Sequence, residues 1–371
     1  MRLSAADEQF THQVPLPHVM VGNSDPSWRE RYWVSVQDTH GSTVLTLGIG
    51  QYPNQDVMEA FVALSHNGVQ TNLRLSRTLL DAPHDLTVGP LSASIVEPLR
   101  ELRLQLHDND SGITFDLSWQ ATMEPILEEP FFQVARARAM YDAIRYVQHG
   151  RAQGTITLPD GTVLTLTPDR WWAERDHSWG TRPLPRTAGA PPGERPPWSF
   201  LLFAPLQLPD FAVHIYLQES APGRPVYLSA TLTGPVGKDV PQPDVVEVRH
   251  DLVFAPDAAA VTLVGGTLEL ILDDGGVRTL QLRALPGRAH LRGGGYEGWN
   301  GWFQGQWRGD LTAEQDSWDL TDVANLYRYA TAGSDHLVEV TCDGETGYGI
   351  VEYMVLPGYG RYQDAIPDRR L

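Results

Sequence analysis

Residues 171–182 bring most of the chemically useful side chains of this chain close together. The run reads Trp-Trp-Ala-Glu-Arg-Asp-His-Ser-Trp-Gly-Thr-Arg and lies in a region whose pattern is typical of β-strands. Alternate side chains of a strand share a face, so Arg175, His177 and Trp179 should point one way and Asp176 the other. If the first set faces inward, an imidazole and a cation lie against an indole, an environment that shifts pKa values. The same spacing would also arise from a purely structural network in which the histidine and the arginine satisfy each other's hydrogen bonds inside the barrel.

Two later segments carry polar side chains that also suggest a pocket. His214, Tyr216 and Gln218 alternate along one predicted strand and therefore share a face. Glu352 lies on another predicted strand among apolar neighbours, where a carboxylate needs a partner, an arginine by preference. If these strands lie beside the motif strand, their side chains complete a polar spot in an aromatic pocket. A tyrosine near a strand end is also typical of ordinary packing, so the role of Tyr216 stays open.

The familiar catalytic motifs do not account for these residues. Asp176, His177 and Ser178 resemble a hydrolase triad in composition, but consecutive side chains on a strand diverge, and no Gly-x-Ser-x-Gly elbow is present. No His-Glu-x-x-His, Cys-x-x-Cys or His-x-His pattern occurs, although a remote site built from His177, His214 and His336 stays open. No glycine-rich nucleotide motif follows a strand and opens a helix. We therefore expect a site without a metal or cofactor.

Composition excludes several other classes of function. The chain has 371 residues, a net charge of −18, and Lys238 as its single lysine. An acidic chain does not favour nucleic acid or anionic membrane surfaces, and one lysine makes Schiff-base chemistry improbable. Cys342 is the single cysteine, which excludes an internal disulfide and a thiolate zinc or iron–sulfur site within one chain. Residues 1–10 contain no apolar run, and no segment approaches 18 apolar residues, so we expect a cytoplasmic protein without integral membrane association.

The elements that must position these side chains are mostly short strands. About seven alternating segments precede residue 122, and a second set of strands runs from residue 153 to the end of the chain. Between them, apolar residues recur at three- and four-residue steps and predict one helix over residues 130–147. The proline-rich residues 183–197 predict a surface loop that could act as a lid. The Gly- and Trp-rich residues 293–309 fit either a ligand mouth or a packed Ω-loop.

The Asp176–Gly180 run, Asp-His-Ser-Trp-Gly, resembles the Asp-His-x-Trp-Gly motif of the carotenoid 1,2-hydratase (hydroxyneurosporene synthase) and AttH-like superfamily. The resemblance implies an all-β fold of two lipocalin-like (calycin) antiparallel barrels in tandem. It also implies catalytic roles for His177 and Trp179. The family's downstream Tyr-x-Asp pair corresponds to Tyr216 and Gln218, and a glutamine cannot protonate an alkene. Either Asp176 or Glu352 takes the acid role, or the reaction differs, or there is none.

Together these observations predict two lipocalin-like barrels with one connecting helix, divided into residues 1–147 and 148–371, with the motif in the second barrel. The leading function is a cofactor-free enzyme, a hydro-lyase, isomerase or cyclase acting on a terpenoid- or polyketide-like lipophilic molecule. A non-catalytic carrier of such a molecule, or a purely structural fold, are the alternatives. The sequence leaves the ligand, the reaction and the oligomeric state open. The expected catalytic residues are His177, Asp176, Tyr216 and Glu352, and the expected ligand-binding residues are Trp172, Arg175, Trp179, Arg182, Trp198, His214 and Gln218.

Overall fold

The fold is that of a computed structural model, and it describes residues 15–135, 138–183, 197–238, 240–255, 262–322, 326, 328–329, 333–356 and 358–362. The regular secondary structure of the described residues consists almost entirely of β-strands. They are β1 (Trp28–Asp38), β2 (Thr43–Tyr52), β3 (Val57–His66), β4 (Val69–Thr78), β5 (Thr87–Val88), β6 (Leu91–Glu97), β7 (Glu101–Leu106), β8 (Thr114–Ala121), β9 (Ile126–Leu127), β10 (Phe131–Ala135), β11 (Arg138–Thr157), β12 (Val163–Leu166), β13 (Trp171–Thr181), β14 (Phe200–Gln207), β15 (Ala212–Ala221), β16 (Arg224–Thr233), β17 (Val245–Phe254), β18 (Leu263–Leu272), β19 (Val277–His290), β20 (Leu311–Asp319), β21 (Ser334–Cys342) and β22 (Glu345–Val355).

The strands form two antiparallel sheets, each curled into a nearly closed barrel. The first has the order β20-β4-β3-β2-β1-β13-β11-β8-β7-β6-β5, with β9, β10 and β12 also paired to β11. The second has the order β16-β15-β14-β22-β21-β19-β18-β17, and its end strands β16 and β17 approach each other. Two short 3₁₀ turns, Pro53–Gln55 and Leu291–Gly294, lie between strands, and residues 326, 328 and 329 are helical. None of the described residues forms a helix long and apolar enough to cross a membrane.

Alternation along the strands produces three apolar layers. Val34 and Val36 of β1 face the core of the first barrel, and Leu202 and Ala204 of β14 face the core of the second. The neighbours of these residues along each strand, such as Trp33 of β1 and Phe203 of β14, face outward, where the two barrels meet. There Trp33 packs edge-on against Phe203, with ring centroids 5.9 Å apart, in a third apolar cluster. Strands at this contact are therefore buried on both faces.

The expected all-β double barrel is confirmed, but the predicted connecting helix over residues 130–147 is wrong. Those residues that the structure describes lie in β10 and in the first half of the long strand β11. Apolar side chains lie on both faces of these strands: Phe131 and Val147 are buried, whereas Phe132 and Val134 are largely exposed. Apolar residues on both faces erase the two-residue period of a strand and imitate helical spacing.

Strand pairing also differs from the expected division at residue 148. That residue lies inside β11, and the motif strand β13 pairs with β1 and β11, so the motif belongs to the first sheet. From much later in the chain, β20 returns to pair with β4 in the same sheet. The residues of β20 are mostly polar and show little of the apolar alternation that predicts a strand, as its exposed edge position allows. As a division into folding domains, the boundary at 148 stays a prediction.

Two predicted loops have different outcomes. The expected lid over residues 183–197 falls almost wholly outside the described residues. Within residues 293–309, Trp299 and Trp302 are buried, as a packed loop requires, whereas Trp307 is largely exposed. The same loop directs Tyr296 toward the space between the barrels.

Candidate functional site

The motif strand β13 has two chemically different faces. Its side chains alternate as predicted: Arg175 points into the first barrel, where its guanidinium lies 4.6 Å from the ring centroid of Trp119, whereas Asp176 and Ser178 point toward the second barrel. Register with the neighbouring strands places Arg31 of β1 and Arg145 of β11 on either side of Ser178. A second row sets Arg29 opposite Gly180. These rows form the floor of a cavity between the barrels.

This cavity has a volume of about 230 Å³ and combines apolar walls with charged groups. Its polar residues include four arginines and three acids, and its apolar wall is formed largely by the second barrel. A pocket with apolar walls and a few convergent polar groups is the usual form of a small-molecule site. Among the lining residues are Arg29, Arg31, Arg145, Asp176, Ser178, Arg182, Tyr216, Glu352, Trp33, Trp198, Leu201, Phe203 and Met354.

Arg145 is the charged centre of this site. Its Nε donates to Glu128 Oε1 at 2.7 Å, and its Nη1 lies 3.5 Å from Asp176 Oδ2. The guanidinium also packs between the rings of Phe203 and Tyr216, at 4.7 and 4.6 Å from their centroids. Burial alone would lower the pKa of Arg145, but the nearby carboxylates raise it above its ordinary value, so the group stays charged.

Behind Arg145, His214 and Glu128 form a buried pair. The Nε2 of His214 lies 2.5 Å from Glu128 Oε1. Burial lowers the pKa of His214, whereas Arg145 and His214 outweigh burial at Glu128 and lower the pKa of that carboxyl. A neutral imidazole donating from Nε2 to an ionised carboxylate fits both directions. His214 does not line the cavity; it positions Glu128, which in turn holds Arg145.

Asp176 and Glu352 are two of the three acids that line the cavity, and their carboxyl groups have few hydrogen-bond partners. Burial raises the pKa of Asp176 despite the nearby Arg145 and Arg182. Burial likewise raises the pKa of Glu352 to about 7, and the negative charge of Asp176 adds to this rise. No hydrogen bond reaches the Glu352 carboxyl from any described residue. A carboxyl that titrates near neutral pH is suited to donate and accept a proton.

Tyr216 adds a hydroxyl to the same space. Its Oη accepts a hydrogen bond from Gln218 Nε2 at 2.9 Å, which leaves its own hydrogen free to be donated. Burial raises the pKa of Tyr216, so the phenol stays protonated. Gln218 itself lies behind Tyr216 and outside the cavity. Ser178 accepts a hydrogen bond from Arg182 Nη1 at 3.2 Å.

Arg29 and Arg31 are buried but lack conventional partners. Their residues are 9% and 5% exposed, and no described residue forms a hydrogen bond or ion pair with either guanidinium. Arg31 instead packs on aromatic rings, 5.2 Å from the centroid of Phe61 and 4.8 Å from that of Tyr296. Arg29 lies 6.0 Å from the ring centroid of Tyr52. Buried cations without a carboxylate are uncommon in folded proteins.

His177 lies on the opposite face of β13 and opens into a different cavity. Its Nε2 is 2.9 Å from Glu30 Oε1, and Gln51 Nε2 donates to the other oxygen of Glu30 at 2.8 Å. This second cavity, of about 280 Å³, lies at the mouth of the first barrel. Trp179 packs against His177, with ring centroids 5.3 Å apart. His177 and Asp176 therefore cannot act on the same side of the strand.

The comparisons with known proteins agree with this architecture. A family model described as a family of unknown function, DUF8625, matches residues 3–363. The chain belongs to the DUF8625 family. No curated protein matches it. The fold of this DUF8625 chain resembles an AttH protein (NE1406) from Nitrosomonas europaea, with a TM-score of 0.51 and 15% identity, covering 88% of this chain and 92% of that one.

Two further solved structures are similar to the DUF8625 chain. CghA with Sch210972 has a TM-score of 0.50 at 13% identity and covers 89% of each chain. Kievitone hydratase from Nectria haematococca has a TM-score of 0.41 at 13% identity, covering 91% of this chain and 93% of that one. At such identities the AttH and CghA likenesses show a shared fold. They confirm, at the level of fold, the resemblance carried by the Asp-His-Ser-Trp-Gly motif.

Within this DUF8625 fold, the predicted site residues separate into four groups. The cavity between the barrels brings together Asp176, Arg182, Trp198, Tyr216 and Glu352. His214 and Gln218 lie behind it. Arg175, His177 and Trp179 face the first barrel, and Trp172 packs farther along the contact against Arg151 and Tyr348.

Sequence reasoning found Arg182 but missed the other three arginines of the DUF8625 cavity. The position of Arg145 in the cavity could not be predicted, because the helical pattern of its segment does not show that it lies on a strand beside β13. Arg29 and Arg31 do alternate at the start of a predicted strand region, which was a usable signal. Glu128 joins the site through tertiary pairing that no local pattern reveals. Among the described residues, no group of three or more His, Cys, Asp or Glu side chains is arranged to hold a metal ion.

Proposed function

We propose that this protein is an enzyme whose own side chains perform acid–base chemistry on a lipophilic small molecule bound between the two barrels. The observation that carries this proposal is the pair of cavity carboxyls, Asp176 and Glu352, whose pKa values are both raised by burial beside Tyr216 and Arg145. Perturbed carboxyls in a cavity with apolar walls are typical of sites that transfer protons.

Glu352 is the proposed acid–base residue. With a pKa of about 7 it is present in both protonation states at neutral pH, and its carboxyl has no competing hydrogen bond from the described residues. It can give a proton to a carbon or oxygen of the substrate and recover one from water or from a neighbouring substrate position. Asp176, fixed beside Arg145, sets the electrostatic environment that keeps this proton available. Tyr216 donates a hydrogen bond to the oxygen on which charge develops.

The substrate class follows from the cavity walls. Trp33, Trp198, Leu201, Phe203 and Met354 present rings and aliphatic groups, which favour a terpenoid- or polyketide-like body. CghA, which shares the fold, has a structure with Sch210972, so a protein of this architecture can hold a small molecule. Hydration, dehydration, isomerisation and cyclisation each need only proton transfer and a shaped cavity, and all four fit the proposal.

The test is conversion of a component in an organic extract of the cells that make the protein, followed by liquid chromatography and mass spectrometry. The wild type should bind one lipophilic component and convert it, either by the mass of one water or to an isomer. Glu352→Gln should retain binding and lose turnover by at least about 100-fold, the usual contribution of a general acid or base. Glu345→Gln, an exposed carboxyl at the start of the same strand, is the matched control.

Other outcomes would contradict the assignment. Binding without conversion by any variant would support the carrier alternative. Turnover lost in His177→Asn but kept in Glu352→Gln would move the chemistry to the mouth of the first barrel. An empty wild-type protein that binds nothing from the extract would favour the structural alternative.

A further inference from the structure

We propose that the molecule bound between the barrels carries an acidic group, a carboxylate or an enolate, and that Arg29 and Arg31 bind it. This inference rests on the proposed function of the cavity and adds the class of its ligand. It follows from two buried cations that line the cavity and have no anion of their own.

The placement of the two arginines is set by strand register. They are two residues apart on β1 and so share the face that forms the cavity floor. The residue opposite Arg31 on β13 is Ser178, and the residue opposite Arg29 is Gly180. Because both opposing residues are small, no side chain of the motif strand covers the guanidinium groups. A ligand can therefore approach them from the second barrel.

Aromatic packing holds Arg31 but does not use up its hydrogen-bond donors. The rings of Phe61 and Tyr296 lie against the guanidinium, and no described residue accepts a hydrogen bond from its N–H groups. The planar fork of an arginine matches a carboxylate, with two parallel N–H···O bonds. Two such forks on one face prefer an anion over a neutral hydroxyl.

Glu59, an acid outside the lining whose charge acts on Arg31, is already engaged by two hydrogen bonds. Glu59 Oε1 accepts a hydrogen bond from Tyr52 Oη at 2.8 Å, and Glu59 Oε2 accepts one from the Gly305 amide at 2.7 Å. Its charge acts on Arg31 only at a distance, since no ion pair joins the two among the described residues. Glu59 therefore leaves the donors of both arginines open.

The acids of the cavity lining do not neutralise the floor either. Asp176 lies beside Arg145, and neither Glu297 nor Glu352 forms an ion pair with a described residue. Burial raises the pKa of Glu297 and of Glu352, which favours their neutral forms. With four arginines in the lining, the cavity has an excess of positive charge in a chain whose net charge is −18. That local excess favours an anionic ligand.

The test compares two probes that differ only in the head group, octanoate and 1-octanol, by isothermal titration calorimetry with the full chain. The wild type should bind octanoate more tightly. Arg31→Gln and Arg29→Gln should each weaken octanoate binding by at least about tenfold, the scale of a charge-assisted hydrogen bond, and leave 1-octanol binding unchanged. Arg31→Lys should recover part of the loss because it keeps the charge. Arg103→Gln, on an exposed ion pair with Asp116, is the control and should match the wild type.

Circular dichroism on each variant separates loss of the head-group contact from loss of fold, and 1-octanol binding by the same sample is an internal check. Equal affinity of the wild type for the two probes would overturn the proposal. So would octanoate selectivity that survives in both glutamine variants, or a folded wild type that binds neither probe. None of these readouts involves turnover, so the acid–base role of Glu352 stands or falls by its own experiment.

Discussion

Replacing Glu352 with glutamine should stabilise the folded protein, and the gain should grow as the pH rises from 5 to 8. In the folded state burial raises the pKa of this carboxyl from its ordinary 4.5 to about 7. A carboxyl that binds its proton more tightly in the folded state stabilises the protein at low pH. This contribution to the free energy of unfolding is lost as the pH rises from the unfolded-state pKa to the folded-state pKa. Glutamine resembles the neutral acid and has no charge to bury, so the variant escapes this loss.

The size of the effect follows from the two pKa values. Integrating proton binding between pH 5 and pH 8 for pKa values of 4.5 and 7 gives a difference of at most about 2.5 kcal/mol. An unfolding entropy of roughly 2 cal/mol/K per residue converts this to a Tm difference of about 3 °C for a chain of 371 residues. The folded-state benefit of the neutral carboxyl is fully present below pH 4.5 and disappears above pH 7.

Thermal melts followed by circular dichroism at pH 5, 6, 7 and 8 would measure this pH-dependent difference in stability. The quantity of interest is the Tm of Glu352→Gln minus that of the wild type at each pH, because any constant offset from the amide cancels in its slope. Glu345→Gln, exposed on the same strand, should give a flat line. A flat line for Glu352→Gln, or a difference that falls with pH, would refute the raised pKa and with it the acid–base role.

Two further substitutions test the architecture of the site. Arg145→Met leaves Glu128 and Asp176 buried without their shared cation, so urea unfolding should show a free energy of unfolding lower by about 3–5 kcal/mol. Adding Glu128→Gln to this variant should restore part of the lost stability. A loss below about 1 kcal/mol for Arg145→Met would mean that the charges are not coupled. Gly180→Ala places a Cβ on a residue with a backbone φ of +124°, within 2.2 Å of a backbone oxygen of β11, and should lower the free energy of unfolding by about 2–4 kcal/mol. Gly161→Ala, at φ +85° in open space, should lower it by about 1 kcal/mol. Equal losses in the two variants would show that crowding is not the cause.

The sequence predicted those features that depend on local alternation. The opposite directions of Arg175 and Asp176, and the contact between Tyr216 and Gln218, follow from the two-residue period of a strand. The fold class followed from strand density and from the motif. What failed was the use of the helical period on residues 130–147, where apolar residues on both faces remove the alternation that marks a strand.

The content of the cavity was harder to predict, because it depends on which strands become neighbours. The expected catalytic residues include both His177 and Asp176, which as adjacent residues of a strand lie on opposite sides of the sheet and border different cavities. Arg145 and Glu128 meet Asp176 only through tertiary pairing. A single sequence shows the faces of each strand, but not the partners that complete each face.

The composition of the motif follows from the need for one strand to serve two cavities at once. On one face, His177 is fixed by Glu30 at the mouth of the first barrel. On the other, Asp176 and Ser178 face the second barrel, and Gly180 lets β11 approach closely enough to bring Arg145 into the same row. A larger residue at 180 would move β11 away, and the arginine would lose its contact with Asp176. The glycine of the motif therefore contributes to the electrostatics of the site through the spacing of two strands.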